Sequence, residues 1–225
     1  MKNAFKVSLL ALALLSAHAQ AAEYRLDGTT FDIVFKNDNA FGLFGTPALA
    51  GNTLFFTPDE FSAKSTTKQW DITNSSISFW IEADDGHHLK GASLVEQGDY
   101  GLSGKSAFAS VAGQTRVVDI RDPGKSVAVG LTGAENLVPT PIGVTKNWEA
   151  TSLQTFATDA SKVKFTIENV LFANAGSKSG YAFVEKKYIG LTVSAVPEPE
   201  SFAMLLAGLG LIGAIARRRR MPTVV

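Results

Sequence analysis

Alternation of apolar and polar residues governs the middle of the chain. Phe31, Ile33 and Phe35 alternate with Asp32 and Val34, and Ile77, Phe79 and Ile81 alternate with Ser78 and Trp80. Val127, Val129 and Leu131 repeat the period. Val163, Phe165 and Ile167 sit between Lys162, Lys164, Thr166 and Glu168, and Ile189, Leu191 and Val193 close the series. A strand sends successive side chains to opposite faces, so a period of two buries one face and wets the other. Antiparallel sheets with one solvated face have this pattern.

Turn formers punctuate the runs: Asn37-Asp38-Asn39, Thr57-Pro58-Asp59, Asp84-Asp85-Gly86, Arg121-Asp122-Pro123-Gly124 and Asn174-Ala175-Gly176-Ser177. The pattern predicts strands near 24–36, 52–57, 60–66, 76–83, 89–97, 106–121, 126–132, 162–172 and 181–195. Between Pro139 and Ala160 the spacing of Trp148, Leu153 and Phe156 fits a strand or a short helix. Many short strands without a long helical period predict an all-β, antiparallel two-sheet sandwich, with a jelly roll as one form and a barrel as the alternative. No repeat of the solenoid or propeller kind is present.

The two ends follow other rules. Lys2 and Lys6 precede the apolar run Val7 to Leu15, and small residues at Ala17, Ala19 and Ala21 suit signal peptidase. Residues 1–21 therefore read as a cleaved signal peptide, the apolar run being too short for a comfortable membrane span. Residues 22–195 form the expected exported domain, long enough for a hydrophobic core of its own. At the other end, Ser201 to Ala216 carries no charge and is followed by Arg217, Arg218, Arg219 and Arg220. A helix over that run is expected to be transmembrane, with the arginines as its cytoplasmic stop. The signal peptide and the arginines thus agree in placing the domain outside.

Charge and cysteine narrow the function. Once Lys2, Lys6 and the four arginines are set aside from the 21 basic residues, and Glu198 and Glu200 from the 21 acidic ones, the middle is mildly acidic. No clustered basic face attracts nucleic acid. Cysteine is absent, which excludes thiol catalysis, cysteine-ligated zinc and disulfides. An exported domain of this kind is expected to stand on its hydrophobic core alone.

Val196-Pro197-Glu198-Pro199-Glu200, the Ala/Leu/Gly-rich run and the arginine tetrad, in that order behind a signal peptide, resemble the PEP-CTERM sorting signal of exported Gram-negative bacterial proteins. The likeness spans residues 196–220, with 221–225 as a short cytoplasmic tail. It implies an exosortase, a membrane-embedded transpeptidase, as partner, with Pro197, Glu198 and Pro199 as the recognised residues. It further implies transient residence in the inner membrane and a final place at the cell surface, in extracellular polysaccharide, biofilm or floc. It implies nothing about the fold of the middle domain.

Two prolines fix φ and remove two amide donors, so residues 196–199 are expected to lie extended and accessible, continuing neither strand nor helix. In Asp84-Asp85-Gly86-His87-His88 adjacent histidines point different ways, and the segment reads as a polar hairpin tip rather than a metal site. Asn37-Asp38-Asn39 lacks the spacing of a calcium loop. Gly101-Leu102-Ser103-Gly104 is not a nucleophile elbow. No cofactor and no enzymatic activity are expected. Trp80, Trp70 and Trp148 are the candidate residues for stacking on sugar rings. The chain is thus expected to be a structural or adhesive surface protein, with a carbohydrate-binding module and then a secreted hydrolase as alternatives.

Overall fold

The computed structural model describes residues 23–36 and 41–219, with the backbone alone for 199–201 and 216–219. The expected signal peptide, the expected Asn37-Asp38-Asn39 turn, Arg220 and the tail 221–225 lie outside the described residues. Twelve strands and one α-helix are present among those described. They are β1 (Tyr24–Asp27), β2 (Phe31–Phe35), β3 (Ala48–Ala50), β4 (Thr53–Phe56), β5 (Ser62–Ser65), β6 (Trp70–Ala83), β7 (His87–Ser103), β8 (Phe108–Asp119), β9 (Ser126–Gly130), β10 (Lys146–Ala160), β11 (Lys162–Asn174), β12 (Tyr181–Pro197) and α1 (Pro199–Arg219).

The strands form two antiparallel sheets. One has the order β1-β2-β6-β11-β8-β9, and the other β10-β7-β12-β4-β3, with β5 sharing the β4 edge of β12. The expected sandwich is present. Its jelly-roll version specifies eight strands, fewer than the twelve described. A single bridge, Thr132 to Thr151, joins the two sheets along one side, so the structure is a seamed sandwich rather than a barrel.

Two expectations need correction, and one open segment is resolved. The run 24–36 is a hairpin of two strands, because Asp27-Gly28 turns the chain and the Gly28 amide donates to the Phe31 carbonyl at 3.0 Å. A side chain on Gly28 would meet that carbonyl oxygen. Strand β3 was not anticipated, being three residues long and apolar throughout. The ambiguous segment is the long strand β10, whose inward residues are Trp148, Ala150, Ser152, Gln154 and Phe156. Its inward serine and glutamine broke the apolar period. They bond along the seam, where Gln154 Nε2 donates to the carbonyls of Thr115 and Val127 and Ser152 Oγ lies 2.9 Å from Thr115 Oγ1, while Gln154 Oε1 is buried without a partner. Leu153, one register position off, is exposed.

Phenylalanine fills the space between the sheets. Phe79 and Phe165, on neighbouring strands, stack at 5.7 Å. Phe35 meets Phe56 and Phe165 meets Phe156 edge-on across the sandwich. Full burial of each such ring contributes roughly 2–3 kcal/mol from water exclusion.

Candidate functional site at the C-terminal neck

The neck is built where the last strand meets the start of β7. The β6–β7 hairpin turns through Gly86, whose φ of 76° is the left-handed conformation that glycine takes at no steric cost. That turn aims the Gly86 carbonyl at the chain terminus. Ala195, Val196 and Pro197 pair with Leu89, His88 and His87, after a bulge at Ser194/Ala195. The Glu198 amide then donates to the Gly86 carbonyl at 2.8 Å, and α1 begins on Pro199.

The prolines therefore act differently from the expectation that 196–199 stands free. Pro197 occupies the final strand position, where a missing amide is tolerated. Pro199 occupies the first helical position, where the amide has no partner in any case. Glu198 alone forms the joint between strand and helix. Its Oε1 lies 3.6 Å from His88 Nε2, and the same imidazole nitrogen lies 3.9 Å from Asp159 Oδ1 on β10. His88 Nδ1 is buried without a partner. The Asp-Asp-Gly-His-His segment is thus the hairpin tip that was expected, but its glycine and second histidine also clasp the neck. Only the pairing of β12 with β7, remote in sequence, brings them there.

Beyond the joint the rules reverse. Every described side chain of α1, Phe202 to Ile215, is exposed, including Phe202, Met204, Leu206, Leu209 and Ile212. A helix apolar on all faces belongs in an environment other than water. Among the described residues no helix is long and apolar enough to cross a membrane. The uncharged run gives a helix of about 24 Å, against a hydrocarbon core of about 30 Å. Arg217, Arg218 and Arg219 continue the helix.

The three tryptophans do not form one platform. Trp148 is 4% exposed and donates its Nε1–H to the Glu185 carbonyl at 3.0 Å. It is a core residue, because the inward phase of β10 includes it, and this corrects its place among the sugar-stacking candidates. Trp80 points outward from β6 but lies beneath the ammonium groups of Lys162 and Lys36 at 5.1 and 5.7 Å. Trp70 is 57% exposed and meets Phe108 edge-on at 5.6 Å. Ten residues along the same strand separate Trp70 from Trp80, about 33 Å, too far to grip one sugar.

Charged groups on the strands of the first sheet are mutually tied. Asp119 is held below the usual carboxylate range by its hydrogen bonds from Arg121. Glu168 is lowered by Gln114 Nε2, which donates to it at 2.5 Å, and by Arg116. Among the described residues no three His, Asp or Glu side chains converge as a metal site.

Residues 195–220 match the PEP-CTERM protein-sorting motif. Compared with curated proteins, the chain has no match. The matched segment covers the last three residues of β12, the Glu198 joint, α1 and Arg220, and the sandwich itself is assigned to no family. The chain thus carries the sorting signal of an exported protein, one held transiently at the membrane and processed by an exosortase.

Proposed function

We propose that the sandwich is the cargo of this sorting signal and serves as a structural or adhesive component at the cell surface or in an extracellular matrix, without catalysis of its own. The observation that carries this reading is the one-residue joint at Glu198, between a strand locked in a folded domain and a helix with its whole apolar surface bare. The apolar helix suits brief residence in a bilayer, where the arginines that follow it reach the headgroups and offset its short length. The domain stays outside, and the neck is presented at the membrane surface, where a membrane-embedded transpeptidase works. Extracellular polysaccharide is the matrix partner that suits the exposed Trp70–Phe108 pair, since aromatic faces pack against apolar sugar faces.

Mass analysis of the mature chain, fraction by fraction, tests the proposal. In cells with the exosortase, the chain is expected in the surface or polysaccharide fraction, ending at the neck and lacking α1. In cells without it, the chain is expected in the membrane fraction with Arg217 to Arg220 retained. Retention of those arginines in cells that have the enzyme overturns the proposal.

A further inference from the structure

Lys186, Glu96 and Asn169 meet at the centre of the sandwich, with exposures of 0%, 0% and 1%. Each takes its place in an apolar stripe. Lys186 follows Ala182 and Val184 on β12, and the register shift between Lys186 and Tyr188 moves the inward phase to Ile189 and Leu191. Glu96 follows Ala92 and Leu94 on β7, and Asn169 lies between Ile167 and Leu171 on β11 of the opposite sheet. Lys186 Nζ donates to Glu96 Oε2, while Asn169 Nδ2 donates to Glu96 Oε1 at 2.8 Å. One carboxyl group therefore bridges an amine from one sheet and a carboxamide from the other.

The surroundings are apolar. The rings of Phe61 and Trp148 lie 5.3 and 5.8 Å from Lys186 Nζ. Burial lowers the lysine pKa, against the pull of Glu96, which favours the neutral amine that acts as a nucleophile. Asn169 Oδ1 is buried with no hydrogen-bond partner. Facing it across the strand pair is Gly113, where a side chain would come within 2.7 Å of that oxygen. A buried ion pair of this kind is a poor stabiliser, since well-packed apolar residues usually serve as well. Its chemistry is more specific than its packing.

We propose that Lys186 and Asn169 are the two partners of an intramolecular amide cross-link between the sheets, formed by acyl transfer with Glu96 as proton carrier. Lys186 passes a proton to Glu96 along their hydrogen bond, leaving a neutral amine with two hydrogens. Half a turn of the Asn169 amide, whose nitrogen and oxygen are near-isosteric, places Oδ1 against the Glu96 O–H. The Nζ lone pair attacks Asn169 Cγ, and the developing oxyanion is stabilised by that O–H. The Nζ–Cγ bond forms and the Cγ–Nδ2 bond breaks. Of the two amine hydrogens, one stays on the new amide, and the other is relayed through Glu96 to Nδ2, which leaves as ammonia. Glu96 ends the step as the carboxylic acid it was before the attack. No oxidant, metal or second substrate is consumed. Fixing amine and amide on one carboxyl supplies the proximity that such a reaction lacks in water.

Tryptic mapping of the folded full chain tests the proposal. Acylated Lys186 resists trypsin, so peptide 165–178 is expected joined through Asn169 to peptide 179–187, one ammonia lighter than the two together. Asn169→Asp is expected to give the same branched peptide with loss of water instead. Glu96→Gln is expected to leave the two peptides separate in a chain that retains its β circular dichroism. A folded wild-type chain that releases the free peptide ending at Lys186 overturns the cross-link. Complete cross-linking in Glu96→Gln overturns the role given to Glu96. Should Glu96→Gln not fold, the wild-type map alone decides.

Discussion

Strand β12 and helix α1 are separated by one residue and follow opposite rules. Along β12 alternate side chains disappear into the sandwich, and even a lysine is fully buried. Along α1 every described side chain is bare, leucine and isoleucine included. The contrast shows how one chain serves two solvents. The strand is stabilised by what it touches now, the helix by a bilayer it has yet to meet. Glu198 marks the change, tied on one side to Gly86 and leading on the other into a helix whose described side chains are all exposed.

The strongest way to break this comparison is a matched pair of truncations to alanine. Phe165 is fully buried between Phe79 and Phe156. Phe165→Ala is expected to lower the unfolding free energy of the sandwich by about 3–5 kcal/mol, the loss for a core ring that leaves a cavity. Leu206→Ala in α1 removes a side chain that is 67% exposed and is expected to stay within about 0.5 kcal/mol of the parent. Urea denaturation in detergent-free buffer reads both. A large loss at Leu206 would mean that the helix packs on the domain in water, and the division at Glu198 would not hold.

Acid sharpens the same contrast with a smaller effect. Asp119 and Glu168, on β8 and β11, titrate below their ordinary values in the folded chain because Arg121, and Gln114 with Arg116, hold the charged forms. Groups with depressed folded pKa values stabilise the fold fully above their unfolded values, near 4, and lose that contribution as the pH falls through the folded ones. Both pairs are partly exposed, so each is worth at most about 1 kcal/mol. The sandwich is therefore expected to lose stability modestly below pH 4, and Glu168→Gln to flatten part of that slope. The run from Phe202 to Ile215 has no titratable side chain, so its helicity in detergent is expected to be unchanged over the same range. An acid melt of α1 in parallel with the sandwich would show that the two are not independent.

The legible parts of the chain were those where one physical rule acted alone. Strands β6 and β11 announced themselves through Ile77-Phe79-Ile81 and Val163-Phe165-Ile167 because their inward residues there are apolar. The sorting segment was legible because its three parts are contiguous. Strand β10 was not, because Ser152 and Gln154 face inward to bond carbonyls on the opposite sheet. Such partners are invisible until the sheets are paired. Lys186, Glu96 and Asn169 were hidden for the same reason: each looks like a solvated position until its phase is followed, and the Lys186/Tyr188 bulge disguises that phase on β12. The assumption that a cysteine-free exported domain rests on apolar packing alone overlooked this polar centre.

The finest contrast lies within the neck itself. His88 is the only described side chain that reaches the Glu198 carboxylate, at 3.6 Å, and it faces Asp159 as well. The backbone bond from Glu198 to Gly86 holds the joint beside these side chains. The pair is half-exposed, so His88→Ala is expected to change the stability of the sandwich by less than about 1 kcal/mol. Locally it should be visible, since the ends of strands open far more readily than their centres. Hydrogen exchange of the Glu198 amide is expected to quicken in His88→Ala, with Leu191 and Val193 unaffected. No acceleration would leave the Gly86 carbonyl as the whole of the clasp, with the histidine a bystander at the joint where strand gives way to helix.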